Sequence, residues 1–204
     1  MRSACARRGS SCASPPPTSS RPSSASLRAG STRLRRCPSA SRGTDDLRLD
    51  AFVDFHRTAL KEWQPDHWDF NLVTFRGRVP VGSQSLHGQT FSATRTVSSG
   101  SWLGRPHQGR GFGTEQRAAV LELAFGRLGA LAAETGALAH NHASLRVSEK
   151  LGYRFTFEDT LSPRGTPLPH LNFRLERDGW RSPVPVEVEG LERCLPLFGV
   201  IEVP

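Results

Sequence analysis

The sequence predicts a mixed α/β (α+β) domain in which helices flank a central β-sheet, preceded by a disordered N-terminal tail. Three observations support this prediction. Helical and strand-like apolar patterns alternate along the middle of the chain. The composition changes abruptly near Thr44, from a Ser-, Arg- and Pro-rich stretch to an ordinary globular mixture. A chain of 204 residues has room for one domain and an excess that need not belong to it.

The tail comprises residues 1–43, which show no helical or strand period and contain nine arginines without an acidic residue. Such a segment buries too little apolar surface to offset its chain entropy, so we expect it to be disordered. Two interpretations are open. The tail binds an acidic partner, or the start was wrongly assigned or shifted in frame in GC-rich DNA. The abrupt change in composition favours the second.

The formal charge of +8 originates in this tail, because the rest of the chain carries 18 basic and 19 acidic residues. The sequence therefore predicts no nucleic-acid partner. No apolar run approaches the roughly 20 residues that span a bilayer, so no membrane partner is expected either. The cysteines are spaced too irregularly for a zinc ribbon or a disulfide framework, which predicts a cytoplasmic protein without a metal. The expected oligomeric state is a monomer or a homodimer. These cysteines are Cys5, Cys12, Cys37 and Cys194.

The first helix is predicted over residues 44–63, where apolar side chains recur at roughly helical intervals after a Thr-Asp start that suits an N-cap. Three runs rich in β-branched and aromatic residues follow and indicate a meander of strands. They span residues 68–75, 79–86 and 91–103.

A long helix is predicted over residues 111–128, with an apolar stripe wide enough to cover a sheet. Residues 130–139 suit a buried strand or a helical extension, because the segment is rich in alanine. A short helix over residues 141–151, closed by Gly152, precedes two strands. Those strands are predicted over residues 153–161 and 171–176, and residues 180–204 show little pattern.

A glycine-rich segment, RPHQGRGFGT at residues 105–114, lies between the third predicted strand and the long helix. Glycine allows close backbone approach, and the first N–H groups of a helix lie unpaired at the positive end of its dipole. This context suits a phosphate or pyrophosphate. The motifs of a P-loop and of a dinucleotide fold are both incomplete here, and a tight turn without a ligand is the alternative.

Two motifs resemble those of the GNAT acetyltransferases. Gln108, Gly111 and Gly113 form Gln-x-x-Gly-x-Gly, and residues 141–153 (NHASLRVSEKLGY) resemble Asn-x-x-Ser…Glu-Lys-x-Gly-Phe/Tyr. The second motif is closest to the branch with the ribosomal-protein N-terminal acetyltransferases. The resemblance covers about residues 44–178 and implies a mostly antiparallel central sheet flanked by helices, with residues 179–204 as a C-terminal extension. Such folds usually begin with a strand, for which residues 27–34 are a poor candidate.

The resemblance also implies acetyl-CoA as co-substrate and assigns residues to it. Backbone groups at Trp102 and Leu103 would meet the pantetheine and thioester, and Asn141 would bond near the acetyl end. The pyrophosphate would lie against Gln108, Gly109, Arg110, Gly111, Phe112, Gly113 and Thr114. Core packing for Trp102 and helix capping for Asn141 are the structural alternatives.

Enzymes of this family generally pass the acetyl group directly to an amine, which requires a deprotonated amine and a proton donor for the thiolate. Ser148 occupies the position where many members of the family have a tyrosine that acts as the general acid. Ser144, on the Asn-x-x-Ser position, is therefore the candidate general acid, and a local hydrogen bond in the first helical turn is its alternative role.

No general base is assigned, and His87, Asp66, His67 or a water chain are the sources considered. The predicted function is N-acetyl transfer to a primary amine of a protein N-terminus or a small molecule. The alternative is a non-catalytic acyl-CoA-binding or regulatory module.

Overall fold

The structure is a computed structural model that describes residues 49–200. The tail, the start of the first predicted helix and the candidate first strand lie outside these residues. The helices are α1 (Leu49–Lys61), α2 (Phe91–Thr94), α3 (Phe112–Gly126) and α4 (His142–Lys150). The strands are β1 (His67–Arg76), β2 (Val79–Gln89), β3 (Thr96–Leu103), β4 (Ala132–Leu138), β5 (Arg154–Leu161) and β6 (Leu168–Glu176). No helix of this region has the length and apolarity needed to cross a bilayer.

The six strands form one sheet in the order β1-β2-β3-β4-β6-β5. Every neighbouring pair is antiparallel except β3 and β4, which are parallel. The predicted fold class is confirmed. The ambiguous alanine-rich segment forms β4, where buried Ala133, Thr135 and Ala137 alternate with exposed Glu134 and Gly136. This period of two is that of a strand with one face covered.

The prediction of one strand over residues 91–103 is wrong in its first part, because residues 91–94 form the short helix α2. Thr90 and Arg95 bracket α2 in the left-handed conformation, with φ of 49° and 46°. Phe91 is fully buried, with its ring centroid 5.5 Å from that of Trp68. The Arg95 guanidinium lies 5.4 Å from the centroid of the Phe91 ring. Burial of this one side chain decides the local conformation over the β-propensity of the segment.

The C-terminal segment completes the hydrophobic core although it contains little regular structure. Its rings and aliphatic side chains at Trp180, Leu191, Leu195, Phe198 and Val200 are buried. The Phe198 ring packs edge-on against Trp68, at 4.9 Å between centroids.

Candidate functional site

The two parallel strands at the centre of the sheet separate part of the way along. β3 and β4 pair only as far as Ser99 and Thr135. Beyond this point β3 stays paired with β2 up to Leu103, and β4 stays paired with β6 up to Leu138. The main-chain edges that face each other across this opening are therefore not joined by the sheet ladder. We call the opening between residues 100–103 and 136–138 the fork.

The glycine-rich loop connects the end of β3 to the start of α3. Gly109 and Gly111 have φ of 69° and 90°, which only glycine adopts without strain. The N–H groups of residues 109–113 make no main-chain hydrogen bond within the described part of the chain. The Gln108 amide donates to the Leu103 carbonyl oxygen at 3.0 Å, so this predicted ligand residue holds the loop against β3.

A cleft of about 340 Å³ lies where this loop meets α4. Arg146 and Lys150 line it from α4, and neither was predicted from the sequence as a binding residue. Their spacing of four residues places both on one helix face, which is the signal that could have revealed them. Free N–H groups at a helix N-terminus and two cations suit a pyrophosphate. Leu103, Gln108, Gly109, Gly111, Gly113 and Thr114 also line the cleft.

Gly113, in the first turn of α3, faces both β3 and α4. A Cβ atom at this position would lie 3.5 Å from side-chain atoms of Leu103 and Val147, at ordinary contact distance. Gly111, two residues before Gly113, is the N-cap of α3. The predicted loop residues Arg110 and Phe112 contact each other, with the guanidinium 5.9 Å from the ring centroid.

The other predicted site residues divide between the two sides of the fork. Trp102 is half-buried, and its neighbours Ser101 and Leu103 point to the opposite sheet face. Asn141 is the N-cap of α4, and its Oδ1 accepts from the Ser144 N–H at 3.2 Å. The capping role expected as the alternative for Asn141 is therefore present.

A buried arginine lies beneath the fork. Arg117 on α3 is 2% exposed. Its Nη1 donates to Thr135 Oγ1 on β4 at 3.1 Å and lies 3.5 Å from Ser148 Oγ on α4, and its Nη2 donates to Ser101 Oγ on β3 at 3.0 Å. No carboxylate of residues 49–200 forms an ion pair with it. Burial lowers the pKa of the Arg117 guanidinium, although arginine stays protonated in proteins.

Three buried polar atoms on β2 and α3 have no hydrogen-bond partner within residues 49–200, namely Gln84 Oε1, Gln116 Nε2 and Arg117 Nε. The hydroxyls of Tyr153 and Ser99 interact with each other near Arg117. Burial raises the pKa of the Tyr153 phenol, and the charge of Arg117 acts in the opposite direction. Buried polar groups are normally satisfied by protein, water or ligand. The unpartnered Nε of Arg117 is therefore a place where water or substrate is expected to bind.

The sheet face opposite α3, here called the open face, holds one of the three candidate bases. His87 pairs in register with Ser98, which projects away from α3. Its Nδ1 lies 2.6 Å from Asp69 Oδ1 and its Nε2 lies 2.9 Å from Ser85 Oγ. Ser85 Oγ in turn donates to the Gly100 carbonyl at the start of the fork, at 3.2 Å.

The other two candidate bases have structural roles. The Asp66 carboxylate accepts from the Ser92 N–H at 2.7 Å and so holds the start of α2. Hydrogen bonds from Ser92 lower the pKa of Asp66. His67 begins β1 and its main chain forms a bridge with Gln64. Among the residues that the structure covers, no cluster of three or more His, Cys, Asp or Glu side chains could hold a metal ion.

The sequence motifs implied a mostly antiparallel central sheet flanked by helices, with the glycine-rich loop between a strand and a helix, and the structure has this arrangement. The fork between the parallel strands was not predicted. The chain belongs to the GNAT family. The family model of the acetyltransferase (GNAT) domain matches residues 28–154, which is more than half of the chain.

Among individual proteins, the chain is similar to "Probable N-acetyltransferase YjcK" of Bacillus subtilis (strain 168), with 29% identity over 114 residues. The match covers 52% of this chain and only 63% of that protein.

Two solved structures show the shared fold. YncA from Salmonella typhimurium with its cofactor acetyl-CoA is 20% identical with a TM-score of 0.53, covering 71% of this chain and 83% of that one. The ribosomal-protein-S5-alanine acetyltransferase from Vibrio fischeri is 19% identical with a TM-score of 0.51, covering 66% and 71%.

Proposed function

We propose that the protein transfers an acetyl group from acetyl-CoA to a primary amine. The observation that carries this proposal is that the cleft between the glycine-rich loop and α4, here called the phosphate cradle, continues into the fork. The cradle lies at the end of β3. From Leu103 towards Ser99, the β3 edge that faces β4 is not hydrogen-bonded to it. A pantetheine arm contains two amides and so can bond to such an edge while its thioester lies deep in the fork. The assigned residues are those predicted from the sequence together with Arg146 and Lys150.

The acceptor in this proposal is either a protein N-terminus or a small-molecule amine. The printed names of structures with this fold include both kinds. One is the Vibrio fischeri S5-alanine enzyme named above, and another is a spermidine N-acetyltransferase, SpeG, from Vibrio cholerae. These names belong to those proteins, and a substrate panel has to decide for this chain. A cytoplasmic location likewise stays a prediction.

His87 is the best supported of the three base candidates. Its Nε2 lies 2.9 Å from Ser85 Oγ, a hydroxyl that is able to donate to the ring or to accept from it. A general base accepts a proton during the reaction, and this contact suits the ring as donor and as acceptor. Asp69 fixes the ring orientation in either case.

Two serines of α4, Ser144 and Ser148, are candidates for the general acid. The Ser144 N–H donates to Asn141 Oδ1 and the Ser144 carbonyl accepts from Ser148 Oγ at 3.3 Å, so both contacts involve the Ser144 main chain and not its hydroxyl. Ser148 is the serine that also lies next to Arg117. Ser144 stays a prediction, and Ser148 is an additional candidate.

Calorimetry with acetyl-CoA tests the cofactor site. Gly113→Trp places an indole in the cleft at a position whose backbone is helical, so the loop glycines with positive φ are not strained. We expect binding to the wild type and no measurable binding to Gly113→Trp. Gly113→Ala is the matched control and should bind within a few-fold of wild type, because its Cβ would make only ordinary contacts. Equal affinity in wild type and Gly113→Trp would end the site assignment.

A non-catalytic acyl-CoA-binding module is the second candidate function. It is favoured by Ser148, which replaces the tyrosine that acts as general acid in many members of the family. Release of CoA thiol separates the two candidates. It is measured with peptides that begin with alanine or serine, a polyamine and small primary amines. Amine-dependent thiol release supports the enzyme. Tight acetyl-CoA binding without release on the whole panel supports the module.

A further inference from the structure

The buried charge of Arg117 is not explained by pairing with an acid. A guanidinium taken out of water is costly unless an anion or many acceptors replace its hydration. Here the partners are three neutral hydroxyls, and Nε has none. A fold that needed only to join α3 to the two strands could use neutral side chains at lower cost. We therefore expect the Arg117 guanidinium to interact with a negative charge at some stage of the reaction.

The place of this charge relative to the cradle is set by the helix and the strand. Gly113, which lines the phosphate cleft, lies one turn before Arg117 on the same face of α3. Ser101, which Arg117 contacts, lies two residues deeper along β3 than Leu103, which also lines the cleft. A chain that starts at the cradle and follows β3 into the fork thus arrives above Arg117.

We propose that Arg117 stabilises the thiolate of CoA as it leaves, acting at the sulfur through the hydroxyls of Ser101 and Ser148. This inference rests on the proposed function. In the reaction the amine nitrogen bonds to the acetyl carbon, the C–S bond breaks, and the sulfur keeps the electron pair. The amine nitrogen loses one proton to a base and the sulfur finally gains one, so charge and atoms balance. Arg117 keeps its proton throughout. It is a positioning residue, because it acts on the developing thiolate charge through the two serine hydroxyls.

This role explains how the chain can work without a tyrosine at position 148. A tyrosine there would give the sulfur a proton, whereas a buried cation makes the thiolate itself a better leaving group. Ser148 is 1% exposed, and its Oγ lies between Arg117 Nη1 and the Ser144 carbonyl. The small serine side chain leaves space for the Arg117 guanidinium, and a tyrosine at this position would fill that space with its phenol ring.

The test is the pKa of the CoA thiol bound to the protein, measured from thiolate absorbance in the ultraviolet during a pH titration. A cation within hydrogen-bonding reach of the sulfur, directly or through one hydroxyl, favours the thiolate. We expect the bound thiol of the wild-type complex to titrate about one pH unit or more below free CoA. A bound thiol that titrates at or above the value of free CoA would overturn the proposal without any variant being needed.

Variants then assign the effect. Arg117→Met should raise the pKa of the bound thiol to or above that of free CoA, Arg117→Lys should restore part of the shift, and Ser148→Ala should reduce it. Arg127→Met is the matched control, because Arg127 is exposed and follows the far end of the same helix. A purely structural arginine would predict equal thiol pKa values in every variant that still binds CoA.

The outcomes also distinguish this inference from the proposed function. If wild-type protein does not bind CoA, the proposed function fails. If CoA binds and the thiol pKa is independent of residue 117, only the role of Arg117 fails. If Arg117→Met does not fold, the wild-type titration and Ser148→Ala decide. An unshifted thiol in wild type, or an unchanged shift in Ser148→Ala, contradicts the proposed route through that hydroxyl.

Discussion

At the scale of single residues, the proposed chemistry uses polar groups on both sides of strand β3. Side chains of β3 alternate, so Ser101 faces α3 and Arg117 while Ser98 faces the open side beside His87. An amine that arrives on the open side and a sulfur that leaves towards the helix side would each have a separate partner. This division keeps a base and a buried cation from acting on each other directly.

The role of His87 leads to a prediction for kcat/KM. His87→Gln should lower kcat/KM by about 10²- to 10⁴-fold, the usual worth of a general base. Its affinity for acetyl-CoA should be unchanged, because the cleft residues are untouched. Steady-state kinetics with the best amine of the panel, combined with calorimetry, measures both quantities.

His170→Gln is the control for this measurement. His170 also lies on the open face and contacts an aspartate, with Nδ1 2.7 Å from Asp159 Oδ1, but it is on β6 at the other side of the fork. We expect its kcat/KM to stay near wild type. Equal losses of kcat/KM in both variants would show a general effect of substitutions on the open face. An unchanged kcat/KM in His87→Gln would rule out His87 and leave a water chain as the base.

At the scale of elements, α4 begins at a residue with two possible duties. Asn141 caps the helix in the structure, and the family resemblance also assigns it to the cofactor. A cap is worth about 1 kcal/mol, and serine can replace asparagine in it. The two duties therefore respond differently to substitution.

Asn141→Ala should lower the free energy of unfolding by about 1 kcal/mol, whereas Asn141→Ser should keep it. Both should weaken acetyl-CoA binding if the amide contacts the cofactor, since neither side chain provides it. Urea unfolding and calorimetry on the three proteins give the comparison. Full affinity in Asn141→Ser would restrict Asn141 to its capping role.

At the scale of the whole molecule, the C-terminal segment is part of the core that supports the fork. Phe198 contacts rings from β1 and from the residues before it, and the Trp63 indole donates to the Leu197 carbonyl at 2.7 Å. Trp180 donates to Glu122 on α3 at 3.1 Å. Loss of this segment would uncover both β1 and the outer side of α3.

Phe198→Ala should therefore destabilise the protein by about 3–5 kcal/mol, the usual range for a large buried aromatic side chain. Phe157→Ala is the comparison, because its side chain is 56% exposed and its removal should cost less than about 0.5 kcal/mol. Urea unfolding midpoints of the two variants measure the difference. Similar midpoints would mean that the segment packs only loosely on the sheet.

The elements that sequence reasoning located well are those with a local signal. The long helix α3, the loop glycines and the α4 cap are specified by residues within a few positions of one another. The short helix α2 was missed because its cause is the burial of Phe91 against Trp68, a contact between residues far apart in the chain.

The sequence alone determined the family, most of the helices and strands and the position of the glycine-rich loop, because motifs, apolar periods and glycine geometry are local properties. The tertiary structure alone decided the rest of the site. Arg117 meets a serine 31 positions away, and His87 meets an aspartate 18 positions away. Both pairings depend on strand register and on the packing of α3 beneath the sheet, so no pattern of neighbouring residues could reveal a buried cation at the fork or a partnered base beside it.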